Sequence, residues 1–184
     1  ISDAENAGLV ISESIYIANN ESYAYAGGIA GIAKGVINCV NTVDIVVSHA
    51  GKYTGGIVGK CVISEEGTFT GNRNDGDVTG AEGVGGIAGM ITCPDKGTTS
   101  TDVYDVSNNE NNGIVEGTAQ VGGIIGYADA VRNLYYGTYY NNYFALSACK
   151  NNGEIVSEGD YAGGFVGYAP RISTVTLCDN YADV

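Results

Sequence analysis

The sequence predicts an all-β protein folded as a parallel β-helix, a β-solenoid of about five to six coils. Three observations lead there. A glycine phrase recurs as Gly27-Gly28-Ile29-Ala30-Gly31, Gly55-Gly56-Ile57-Val58-Gly59, Gly85-Gly86-Ile87-Ala88-Gly89, Gly122-Gly123-Ile124-Ile125-Gly126 and Gly163-Gly164-Phe165-Val166-Gly167. An asparagine phrase alternates with it, beginning at Asn6, Asn41, Asn74, Asn111, Asn151 and Asn180, and each copy ends in an aliphatic residue four positions on. Glycine supplies 29 of 184 residues and no clean helical period exceeds two turns, which favours strands and turns over helix.

Within each asparagine phrase, Asp75-Gly76, Asn112-Gly113 and Asn152-Gly153 are turn signals, because Asn, Asp and Gly tolerate conformations that other residues resist. The residues that follow alternate. Asp44, Asp77, Glu154 and Asp183 are polar, whereas Ile45, Val78, Ile155 and Val184 are apolar, so this part reads as a half-buried strand. Leu9 and Ile114 break the polar half of the pattern. The glycine phrase reads as a second strand, packed so closely that a Cβ would crowd a neighbour. About three short strands per unit are expected. Pro94 and Pro170 follow glycine phrases, where loops belong.

One unit of this size cannot bury its apolar face alone, so stacking supplies the core. Ile29, Ile57, Ile87, Ile124 and Phe165 should form one ladder, and Val10, Ile45, Val78, Val115, Ile155 and Val184 another. With strands about 4.7–4.9 Å apart, the rod would be roughly 25–30 Å long. The six asparagines have two structural roles open to them: an amide ladder bonded from coil to coil, or an Asx-turn within each coil. A propeller is the alternative architecture, but asparagine spacings of 33 and 29 residues are tight for a four-stranded blade.

These phrases resemble the GLUG motif, a glycine-rich repeat followed by an Asn-Gly-x-Val turn and strand. Val121-Gly122-Gly123-Ile124-Ile125-Gly126-Tyr127 and Ala162-Gly163-Gly164-Phe165-Val166-Gly167-Tyr168 carry the resemblance most closely. The resemblance implies a bacterial, secreted or surface-anchored β-solenoid, of the kind found in adhesin-like proteins and in some immunoglobulin-A-cleaving peptidases, whose catalytic domain is separate. It implies a non-catalytic module. The wider spacing in the later coils departs from the motif, so loops there should be particular to this chain.

The formal net charge of −13 disfavours nucleic acid and anionic membranes as partners. No stretch of about 20 apolar residues is present to span a membrane. The whole chain, residues 1–184, is expected to form one domain of a longer repeat protein at the cell surface or outside the cell, since natural solenoids carry caps. The expected partners are a glycan or a host surface protein, together with end-to-end self-association through uncapped strand edges.

No cofactor, metal or catalytic residue is predicted. His49 is the single histidine, with no fixed partner. The five cysteines form no C-x-x-C pair. Cys39, Cys149 and Cys178 stand two residues before ladder asparagines, where Asn72 and Asn109 stand in other copies. Stacked Cys149 and Cys178 would have parallel Cβ vectors, a poor geometry for a disulfide. Cys61 and Cys93 follow glycine phrases, and mostly buried, unpaired thiols acting as small hydrophobes are expected. The acids are scattered, the densest pairs being Asp102 with Asp105 and Glu65 with Glu66, and neither pair stands beside a basic residue.

The candidate ligand-binding residues are Tyr135, Tyr136, Tyr139, Tyr140 and Tyr143, clustered in the widest gap between a glycine phrase and the next asparagine. Two readings apply. The rings form an aromatic surface that stacks on sugars, or they cover a flank of the solenoid. A carbohydrate-active β-helix enzyme or binding domain is the alternative function, for which two carboxylates in a cleft would be the sign.

Overall fold

In the computed structural model the chain is all-β, and residues 1–184 are described except 9, 13–15, 19–20, 24, 48–50, 65–67, 95–98 and 100, and the side chains of 10–12, 16–18 and 21–23. The chain visits five parallel sheets in a fixed order and then begins again. Five coils are complete and a sixth begins at Asp179–Asn180.

The asparagine sheet comes first, with Glu5–Asn6, Val40–Asn41, Arg73–Asn74, Glu110–Asn111, Lys150–Asn151 and Asp179–Asn180. A valine sheet follows, running from Val10–Ser12 through Ile45–Val47, Val78–Thr79 and Val115–Gly117 to Ile155–Ser157. A pre-glycine sheet leads into each glycine pair, with Ala26–Gly27, Lys52–Gly55, Glu82–Gly85, Ala119–Gly122 and Ala162–Gly163. A post-glycine sheet leads away, with Ala30–Ala33, Val58–Val62, Ala88–Thr92, Ile125–Asp129 and Val166–Tyr168. The return sheet closes the circuit with Val36–Ile37, Phe69–Thr70, Val103–Ser107, Tyr143–Ser147 and Ile172–Thr176.

Each coil therefore holds five strands where the sequence reading expected about three. The glycine phrase is a corner between two strands rather than a strand of its own. In Gly55-Gly56-Ile57-Val58-Gly59, Gly55 ends one strand, Gly56 and Ile57 form the bend, and Val58 begins the next. Gly56 has no alternative. A Cβ there would overlap the Asn74 side chain and the Gly86 carbonyl of the next coil. The same collision recurs at Gly28, Gly86 and Gly123, so the two recurrent phrases face each other across the interior.

That contact forms a waist. Apolar residues on one side of it, including Ile57, Ile87, Ile124, Phe69 and Phe144, form the larger core. Ile45, Val78, Val84, Val115, Val121 and Ile155 form the smaller one. Both predicted ladders stack. Ile29, Ile57, Ile87 and Ile124 donate their N–H groups to Ile57, Ile87, Ile124 and Phe165 in turn, at 2.9–3.1 Å. Val10, Ile45, Val78, Val115 and Ile155 are in register. Val184 departs from its predicted place. It lies outside the strands and is 63% exposed.

The asparagines fill both roles left open above. Nδ2 of Asn41 donates to the Val43 carbonyl (2.6 Å) in its own turn and to Oδ1 of Asn74 (2.7 Å) in the next coil. Asn74, Asn111 and Asn151 repeat the pair of bonds. An amide carries two N–H donors, so the two roles do not compete. Asn72 and Asn109 build a second, shorter ladder, with Nδ2 of Asn72 donating to Oδ1 of Asn109 at 2.9 Å.

The cysteines carry no disulfide. Cys39, Cys61, Cys93 and Cys149 are buried and Cys178 half-buried. The Cys149 N–H donates to Cys178 Sγ at 3.4 Å. Burial pushes the Cys61 and Cys149 thiols up to about 11.

Candidate ligand-facing corner

The loops between the post-glycine and return sheets differ in length from coil to coil. They span 34–35, 63–68, 93–102, 130–142 and 169–171 in successive coils. Because the coils stack in register, the three long insertions emerge side by side at one corner of the rod.

The insertion of the fourth coil is an antiparallel hairpin, Arg132–Tyr135 with Thr138–Asn141. Its tip is Tyr136-Gly137, both with positive φ (44° and 79°), the conformation a two-residue hairpin turn requires. At its base, Asn133 and Asn142 are buried and bond each other through their amides at 3.3 and 3.4 Å. The Asp102 N–H of the preceding coil donates to Asn142 Oδ1 (3.1 Å), and the Tyr143 N–H donates to the Asp102 carbonyl (2.9 Å). From the following coil, Arg171 donates to the Ala130 carbonyl (2.5 Å) and to Asp129 Oδ1 (3.0 Å). The hairpin is thus anchored to the coils on either side.

The five candidate tyrosines do not share one surface. Successive strand residues point to opposite faces. Tyr139 therefore lies with its partner Leu134, and Arg132 sits over the Tyr139 ring at 5.7 Å. Tyr135 and Tyr140 lie on the other face. Tyr136 packs edge-on against Tyr135 with centroids 4.5 Å apart and is 90% exposed at the tip. Tyr143 belongs to the return sheet and is half-buried, as is Tyr140. The exposed rings are those of Tyr135, Tyr136 and Tyr139.

Beside the hairpin base, described residues of the second and third coils line an open cleft of about 510 Å³. Its lining includes the hydroxyl residues Thr70, Thr101 and Ser107, the carboxylates of Asp102 and Asp105, and the apolar Phe69 and Val103. Asp102 and Asp105 were the densest described acid pair in the sequence, but nothing in the repeat pattern placed a cleft beside them. The one available signal was the lengthening of the segment after Gly89. Glu65, Glu66 and His49 lie outside the described residues. Among the described residues, no group of three or more His, Cys, Asp or Glu is placed to hold a metal ion.

A second aromatic feature escaped the sequence reading. Tyr25, Tyr53, Tyr127 and Tyr168 form a column at the glycine corner, with centroids 5.5–5.9 Å apart between successive rings. Tyr25–Tyr53 and Tyr127–Tyr168 are stacked nearly parallel (12° and 9°), so these rings spend their faces on each other. The column spans the third coil because Gly83 stands where a side chain would block the Tyr53 ring. The signal was present in the sequence, with Tyr25 and Tyr53 two residues before a glycine pair and Tyr127 and Tyr168 directly after a glycine phrase.

Comparison with known proteins returns no matching family model, no matching curated protein and no matching solved structure.

Proposed function

We propose that this chain is a non-catalytic repeat module of a bacterial surface protein, carrying an adhesive surface on a rigid β-solenoid. One observation carries the reading: the long segments of three consecutive coils leave from the same corner, between the post-glycine and return strands, apart from a further inserted hairpin, Tyr16–Ala18 with Glu21–Tyr23, between the valine and pre-glycine strands of the first coil. Repeat architectures place recognition loops on one face in this way. The interior polar groups support it, since the asparagine amides are consumed by coil-to-coil and in-turn bonds and are turned away from ligands. The resemblance of the glycine phrases to the GLUG motif supports an extracellular or cell-surface setting. The net charge of −13 keeps such a surface soluble. Its partners in this reading are a glycan or a host surface protein, and the module works without a cofactor.

The test is a glycan and matrix-protein array probed with the whole chain and with Tyr135/Tyr136/Tyr139→Ala. Binding by the parent, reduced at least tenfold in a variant with an unchanged far-ultraviolet spectrum, supports the reading. Equal binding by both removes the hairpin from it. The cleft holding Asp102 and Asp105 favours a second reading, a carbohydrate-active enzyme. Turnover of a polysaccharide panel that disappears in Asp105→Asn would replace the first reading with the second.

A further inference from the structure

The tyrosine column ends in a pair placed for covalent joining. Tyr127 and Tyr168 hold equivalent positions in the post-glycine strands of the fourth and fifth coils and are partners in register. Neighbouring strands lie about 4.7–4.9 Å apart, so the two side chains leave the backbone side by side. Their rings are 9° from parallel, with centroids 5.5 Å apart. Register and parallel planes set the Cε carbons of one ring next to those of the other. Both rings are half-buried and open on the solvent side. Tyr161 is 55% exposed and meets the Tyr168 ring edge-on at 61°, with centroids 4.9 Å apart. It is an outer ring from which an oxidising equivalent passes inward to Tyr168. The stacked pair at the other end of the column differs. Lys60 Nζ sits over the Tyr25 ring, 5.6 Å from its centroid. A cation held on the face of a ring is attracted to its electrons and opposes their removal.

We propose that Tyr127 and Tyr168 are a site of oxidative cross-linking, joined by hydrogen peroxide and a haem peroxidase into a dityrosine that ties the fourth coil to the fifth. Each ring gives up one electron and its phenolic proton. The two tyrosyl radicals combine through one Cε carbon of each ring, which forms a carbon–carbon bond. The hydrogen on each of those carbons then moves to its own phenol oxygen, and both rings become aromatic again. The two electrons and two protons released reduce one hydrogen peroxide to two waters. Proximity selects the partner, because a radical held against an in-register ring meets that ring before it meets another molecule. The edge-on contact with Tyr161 points an edge at a face and does not set the Cε carbons of two rings side by side. Val166–Tyr168 lies at the edge of the post-glycine sheet, and the bond secures it to its neighbour. This inference goes beyond the recognition reading and does not depend on it.

The experiment treats the whole chain, at low micromolar concentration, with hydrogen peroxide and a haem peroxidase. Dityrosine fluorescence and the mass of the intact chain are followed. A monomer lighter by two hydrogens is expected, and peptide mapping by mass spectrometry should place the link between Tyr127 and Tyr168. Tyr168→Phe keeps a stacked ring and should lower the yield of cross-linked monomer roughly fivefold or more. Tyr136→Phe, at the exposed hairpin tip, should leave the Tyr127–Tyr168 link in place. Oxidation in concentrated urea, which separates the coils, should lose the preference for this pair. The cross-linked chain should unfold at a higher urea midpoint than the untreated chain, because the new bond closes a loop in the unfolded state. Treated Tyr168→Phe should show no such gain. A predominant link elsewhere, Tyr161 to Tyr168 included, overturns the proposal. Equal yield of the Tyr127–Tyr168 link in folded and urea-unfolded chain also overturns it, since the fold would then not direct the reaction. A lower urea midpoint after cross-linking overturns the role of the bond as a tie between coils.

Discussion

Replacing Asn74 with alanine tests the waist of the rod at its centre. Asn74 is fully buried. Its Nδ2 donates to the Gly76 carbonyl (2.6 Å) and to Asn111 Oδ1 (2.9 Å), and its Oδ1 accepts from Asn41 Nδ2 (2.7 Å). Alanine deletes all three bonds and leaves three groups to find new partners. A net hydrogen bond is worth about 1 kcal/mol, and a buried group left unsatisfied costs about 1–3 kcal/mol. Some of the freed groups retain a bond, as Asn41 does to the Val43 carbonyl, so the expected loss is about 3–5 kcal/mol rather than the full sum. That is a large share of the ~5–15 kcal/mol stability of a domain. Asn6→Ala is the internal control, because Asn6 is half-buried at one end of the ladder and donates one bond along it. Urea unfolding monitored by far-ultraviolet circular dichroism reads both. An Asn74→Ala midpoint indistinguishable from that of Asn6→Ala would refute the view that the amide ladder holds the coils together.

Three further outcomes follow from particular side chains. Ala148 has φ of 51° at the corner where Asn38, Gly71 and Asn108 stand in other coils; Ala148→Gly should stabilise by about 1 kcal/mol, read as a higher melting temperature, since the left-handed region costs an L-residue roughly 1–2 kcal/mol. Thr54 Oγ1 is buried with no hydrogen-bond partner among the described residues, in register with Val84 and Val121, so Thr54→Val should gain about 1 kcal/mol in the same melt. Burial raises the Cys61 thiol from the ordinary 9.0 to about 11. The folded state therefore holds that proton while the unfolded state releases it, so stability should be intact below pH ~9 and fall by about 2–3 kcal/mol as pH rises through ~11. A flat alkaline denaturation profile in the parent, matching that of Cys61→Ala, would contradict this.

Much of the rod was legible because stacking makes the sequence repeat itself. The glycine and asparagine phrases mark the two sides of the waist, and each is fixed by the other: Gly86 cannot carry a Cβ because Asn111 lies against it. The strand count was not legible. Strands of two residues, such as Phe69–Thr70 or Val78–Thr79, are too short for an alternating pattern to declare itself. The left-handed corner was hidden too, as it is held by Asp3, Asn38, Gly71, Asn108, Ala148 and Leu177, with five residue types at six positions. At the candidate site, the excess of tyrosine located the hairpin. Its two-sidedness followed from the turn at Tyr136-Gly137, whose identity as a hairpin tip depends on the pairing of Leu134 with Tyr139. The cleft was not legible because its lining residues lie between the recurrent phrases, where no pattern repeats.

The division of labour around the coil explains why this rod can carry such insertions. The asparagine and glycine phrases meet across the waist, where a single added methyl collides with backbone. The contacting residues themselves are therefore fixed, although the connection between the valine and pre-glycine strands holds the hairpin Tyr16–Ala18 with Glu21–Tyr23 in the first coil. The connections are not so constrained, because the Phe69–Thr70, Val103–Ser107 and Tyr143–Ser147 strands are paired from coil to coil whatever length of chain precedes them. Closing a longer loop costs only about 0.6 kcal/mol per doubling of its length, less than one lost bond of the amide ladder. Lengthening from 34–35 to 130–142 is nearly three doublings and costs roughly 1.6 kcal/mol, which the bonds anchoring the hairpin base offset, whereas one residue inserted between Gly86 and Ile87 would shift the register of both cores. Length variation is accordingly found at the connections rather than at the waist, at the return corner with the hairpin Arg132–Tyr135/Thr138–Asn141 and, in the first coil, before the pre-glycine strand with the hairpin Tyr16–Ala18/Glu21–Tyr23.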